Sequence, residues 1–96
     1  MEITPLHTQV EKTIQLTLGT IVLESPKGFP RGECNLYYVQ LDGEILWYAE
    51  KPDAQTLYMR VRLNEDGKTI STYTLSGHAC DLDLETGKIL SQTTIQ

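Results

Sequence analysis

Ninety-six residues, 40% hydrophobic and 22% charged, suit a single domain spanning 1–96 and have the balance of a folded globular chain, not a disordered or low-complexity one. Thirteen acids against eight bases leave a net charge of −5, whose field repels phosphate backbones and anionic lipid, so neither nucleic acid nor membrane is an expected partner. No apolar run approaches the roughly 20 residues that span a bilayer, the opening Met1-Glu2-Ile3-Thr4-Pro5 lacks the basic and apolar stretches of a secretory leader, and Cys34 and Cys80 are too few for a disulfide scaffold. Reduced thiols in a cytoplasm are expected.

Twelve threonines, seven isoleucines and four valines stand against three alanines. β-Branched side chains lose rotamer freedom in a helix and pack well on a pleated surface. The expected fold is all-β: an antiparallel meander of about six to eight short strands forming a small barrel or a two-layer sandwich.

At the N-terminus two patterns compete. Thr4 as N-cap, Pro5 at the first helical position and Leu6, Val10 and Ile14 at four-residue spacing suit a short helical turn. Ile14, Leu16 and Leu18, alternating with Gln15 and Thr17, suit a strand that Gly19 kinks or bulges before residues 20–24. Residues 25–34 hold two prolines, two glycines and three charges around Phe29, and read as the longest loop.

Asp42-Gly43 then turns a hairpin over residues 36–49. A two-residue loop places Tyr38 opposite Trp47, and a three-residue loop from Leu41 fits nearly as well. In either register both faces are apolar, so one face needs a cover: the N-terminal segment, the 25–34 loop or a second molecule. Lys51-Pro52-Asp53-Ala54 is the next turn.

Asn64-Glu65-Asp66-Gly67-Lys68 follows, with Asn opening a type I turn and Gly at the φ > 0 site. A three-residue loop, 65–67, pairs Leu57 with Leu75, Met59 with Tyr73, Val61 with Ser71 and Leu63 with Thr69, and makes that face core. Tyr58, Arg60, Arg62, Ile70, Thr72 and Thr74 fall on the solvent face. Gly77 punctuates the chain before a last hairpin, 79–95, closed by Glu85-Thr86-Gly87-Lys88. Within it, residues 82–90 resemble the turn peptide of quinoprotein-type β-propeller blades. That likeness is to a strand-turn-strand alone, since a propeller needs at least about four blades of roughly 40 residues.

Chemistry-bearing patterns are sparse. His78 and Cys80 share a strand face within reach of one metal, but a site needs three or four ligands and only His7 and Cys34 remain as imidazole or thiol. A Cys80 nucleophile is opposed by Asp81 and Asp83, which disfavour a thiolate. Asp81, Asp83 and Glu85 alternate on one face, yet the calcium-loop glycine and terminal glutamate are misplaced. Arg60 and Arg62 beside Tyr58 suggest stacking on single-stranded bases, which the net charge opposes. No metal or other cofactor is expected.

The aromatic residues are the most unevenly placed, with Tyr37, Tyr38, Trp47, Tyr48 and Tyr58 inside 22 positions. Such side chains anchor interfaces because they bury large area while keeping a polar atom that can be satisfied. Tyr37, Tyr38, Trp47, Tyr48, Tyr58 and Phe29 are therefore the candidate binding residues. The expected function is a non-enzymatic module that binds a protein or itself through this hairpin. The alternative is a small-molecule binder or enzyme whose cleft the same side chains line.

Overall fold

Turn chemistry sets the strand boundaries. Gly43, Gly67, Gly77 and Gly87 all take positive φ, and each stands between two antiparallel strands. In the computed structural model, which describes residues 3–94, eight strands result: β1 Val10–Gln15, β2 Gly19–Glu24, β3 Leu36–Gln40, β4 Ile45–Tyr48, β5 Tyr58–Leu63, β6 Thr69–Thr74, β7 His78–Asp83 and β8 Ile89–Thr94. They form two antiparallel four-stranded meanders, β1-β2-β3-β4 and β5-β6-β7-β8, which pack face to face without closing into a barrel. No helix occurs among the described residues, so the Thr4-capped turn does not form. The first strand ends at Gln15; Leu16 donates its N–H to Gly19 O at 2.8 Å, and Gly19 opens β2 instead of kinking a longer strand.

The hairpin loops decide the faces. Gln40 N–H to Glu44 O at 2.8 Å makes the 41–43 loop three residues long, and an extra residue at Leu46 then restores Tyr38 opposite Trp47. At the 64–69 turn the loop is four residues, because Asn64 N–H bonds Thr69 O at 3.0 Å and Asp66 Oδ1 accepts the N–H of Lys68 and of Thr69. The expected pairing therefore slips by one: Leu63 faces Ile70, Val61 faces Thr72 and Arg62 faces Ser71. Ile70, Thr72 and Thr74 turn into the core, while Ser71 and Tyr73 join Arg60 and Arg62 outside. A bulge at Met59 changes parity again and brings Tyr58 inward with Val61. The expected core members Met59, Leu63 and Leu75 are exposed, and the expected solvent members Tyr58, Ile70, Thr72 and Thr74 are buried.

The intersheet core joins Ile21, Leu23, Leu36, Tyr38 and Trp47 to Tyr58, Val61, Ile70, Cys80 and Leu82. Its threonines are satisfied locally, as where Thr72 Oγ1 donates to Cys80 O at 2.8 Å. Asn35 fastens the layers. Fully buried, its Nδ2 donates to Glu24 O at 2.8 Å and to Tyr58 O at 2.6 Å, while its Oδ1 accepts Tyr58 N–H at 2.9 Å. This side-chain amide replaces a missing strand neighbour for β5.

Candidate functional site

The six aromatic candidates divide between inside and outside. Tyr38 and Trp47 pack in the intersheet core with ring centroids 5.7 Å apart, and Trp47 Nε1 donates to Leu84 O at 3.0 Å. Tyr58 is buried in the same core with its hydroxyl donating to Glu50 O. Burial holds that phenol well above its ordinary range. Phe29 is buried edge-on to His7, ring centroids 5.0 Å apart. Tyr37 is buried on the opposite face of β3, beside Val22 and Val39. Tyr48 alone reaches solvent, 53% exposed, with its ring 6.1 Å from Tyr37.

The cover over the second face is the N-terminal segment. Ile3 and Val10 pack on the Val22, Tyr37 and Val39 cluster. Three successive N–H groups, of Leu6, His7 and Thr8, point at the Glu24 carboxylate at 2.7 to 3.0 Å, and the Tyr37 hydroxyl donates to it as well. Burial of Glu24 favours its neutral form, but these four donors outweigh that and hold its pKa below the ordinary value. Tyr37 is raised by its own burial and by this carboxylate, so it stays a donor. The 25–34 loop is tied to this strap through His7 Nε2 and Glu33 Oε1, 3.0 Å apart. A cavity of about 310 Å³ remains under the strap, against Tyr37, Val39 and Ile45.

Outside lies a set of residues that alternation did not single out. Leu46 is 49% exposed beside Tyr48 on the outer strand β4, and Leu41 is 60% exposed in the adjoining turn. Gly19 stands opposite Gln40, which sets the 16–19 turn, with Leu18 71% exposed, at the same end of the sheet. The Asp42-Gly43 signal located the turn but could not reveal that Leu46 is a bulge residue.

The remaining chemical candidates have other employment. Burial pushes the Cys80 thiol up, with Asp81 adding a lesser push, and Cys34, also raised by burial, donates toward Leu36 O and Ala49 O at 3.2 Å. Both are free thiols. His78 Nδ1 is hydrogen-bonded to Ser76 Oγ at 2.9 Å. Asp81 accepts from Ser71 and Ser91 across the sheet. Among the described residues, no three His, Cys, Asp or Glu side chains gather as a metal-binding group, and no helix is long and apolar enough to cross a membrane.

Residues 2–94 match the family model DUF7957, described as a domain of unknown function. The chain belongs to that family. No curated protein and no solved structure matches it.

Proposed function

We propose that this protein is a non-enzymatic module that binds a protein partner or a second copy of itself through the edge of the β3–β4 hairpin, with Tyr48, Leu46 and Leu41 as contact residues. The observation that carries this reading is an outer strand with no charged residue, Ile45–Tyr48, whose Leu46 and Tyr48 are about half exposed. Exposed apolar side chains grouped on one edge commonly mark an interaction site. The bulge at Leu46 interrupts the ladder, so the contact runs through side chains and not by strand addition. The two free thiols support a reducing, cytoplasmic setting, and the net charge of −5 disfavours nucleic acid and anionic membrane.

A second reading, a small apolar ligand under the N-terminal strap, draws on the 310 Å³ cavity against Tyr37, near the lower bound of about 300 Å³ for such sites. An amide NMR dilution series separates the two. The proposal expects concentration-dependent shifts at residues 41–48, or the same shifts on adding the partner, by about 1 mM. Spectra invariant with concentration and with every partner tested, together with shifts confined to the Ile3 to Leu6 strap and Tyr37 on adding apolar probes, would favour the cavity.

A further inference from the structure

A second concave surface lies on the other side of the molecule, along the outer strand β5, where β1 runs beside it. This groove holds about 600 Å³, and its lining includes Lys12, Arg60 and Arg62 with the single acid Glu11, while Tyr73 and Met59 supply flat and apolar surface. Register explains the clustering. The bulge at Glu11 turns Lys12 to the inner side of β1, where its ammonium donates to Val61 O of β5 at 2.9 Å. The one-residue slip of the β5–β6 hairpin leaves Arg60 and Arg62 on the outer face and brings Tyr73 and Ser71 out opposite them. Two residues apart on a strand, the guanidinium stems rise about 7 Å from each other.

No carboxylate among the described residues is paired with these cations. His7 with Glu33 is the ion pair among the described residues, and none involves Lys12, Arg60 or Arg62. The chain carries 13 acids and 8 bases, so carboxylates are plentiful, yet Ser71 and Tyr73 occupy the cross-strand positions where an acid would neutralise each arginine. Like charges side by side on one face repel, and a bound anion removes that cost.

We propose that this groove binds a small phosphomonoester carrying a flat ring. Guanidinium forks match phosphate oxygens two at a time, and Lys12 supplies a third positive group, which suits a dianion with three oxygens better than a monocarboxylate. Tyr73, directly opposite Arg60 and lining the groove, is the aromatic side chain assigned to the organic part. The volume lies within the roughly 300 to 1,000 Å³ of small-ligand sites. The net charge of −5 weighs against a polyanion such as nucleic acid far more than against a small dianion. The site lies along β5 and β1, and β1 is the edge of its sheet opposite β4 and Tyr48, so it stands or falls independently of the association surface.

The test is an amide NMR titration of the full chain with phenyl phosphate, benzoate and a single-stranded oligonucleotide as separate probes. Phenyl phosphate is expected to give saturable shifts at residues 11–12, 59–62 and 71–73, with benzoate at least about tenfold weaker. Arg60→Gln and Arg62→Gln, both exposed positions, should each weaken phenyl phosphate by at least about tenfold while the melting temperature holds. No saturable shift by about 10 mM phenyl phosphate, an Arg62→Gln chain that titrates like the parent, or tighter binding of the oligonucleotide would each overturn the proposal.

Discussion

A carboxylate shut away from water costs several kcal/mol unless donors replace its hydration, and at Glu24 four donors do so. The depressed pKa has a definite sign. Its contribution is fully present above the ordinary value of 4.5 and is lost as pH falls through the lower folded-state value. Glu24→Gln should therefore cost about 1 to 3 kcal/mol at neutral pH and flatten the acid limb of a stability-versus-pH curve, measured by urea denaturation between pH 3 and 7. Asn35 makes a parallel case with a neutral group. Asn35→Ala leaves Tyr58 N–H and two carbonyls without partners, and a denaturation midpoint should report a loss of about 2 to 4 kcal/mol. Neither residue stood out in the sequence, because a lone Glu ending an apolar strand and an Asn after a loop look like surface residues until the fold places donors around them.

At the scale of elements, turns were legible and faces were not. Asp42-Gly43, Asn64 to Gly67 and Thr86-Gly87 reveal themselves by short-range chemistry, and each does join two strands. Faces depend on parity, and each of the four outer strands carries one bulge, at Glu11 in β1, Leu46 in β4, Met59 in β5 and Leu90 in β8. One extra residue inverts every later side chain, which is why Tyr58 and Val61, three apart, face the same core. It also accounts for Leu46, Met59 and Leu90 being exposed: a bulge residue has no ladder partner to pack beside. Two turn glycines give the element-scale prediction. A Cβ on Gly67 would meet nothing within 4 Å, whereas one on Gly87 would lie 2.5 Å from Trp47 Cε3. Both have positive φ, so Gly67→Ala should cost about 1 kcal/mol from backbone strain alone and Gly87→Ala about 2 to 4 kcal/mol, compared by melting temperature.

For the whole molecule, two meanders are joined by one buried core and by the Asn35, Lys12 and Trp47 bonds across the layers. That coupling predicts that Cys80, 2% exposed, reacts with a thiol reagent only as fast as the whole domain opens, so its labelling rate should rise as the unfolding free energy falls across destabilised variants. Composition foretold the all-β class and the hairpin pattern foretold that one face would need a cover. Which cover could not be read, since the Glu24 donors are backbone N–H groups with no sequence signature. The N-terminal strap covers Tyr37, the second sheet covers Tyr38 and Trp47, and Tyr48 stays in solvent, where we propose that it meets a partner. Single serine substitutions at Tyr37, Tyr38, Trp47 and Tyr48, followed by light scattering and melting temperature, test this directly. Serine at the three buried positions should lower stability by about 3 to 5 kcal/mol, while Tyr48→Ser should melt near the parent and lose association. Four variants that all melt early with unchanged mass, or a Tyr48→Ser chain that associates like the parent, would contradict it.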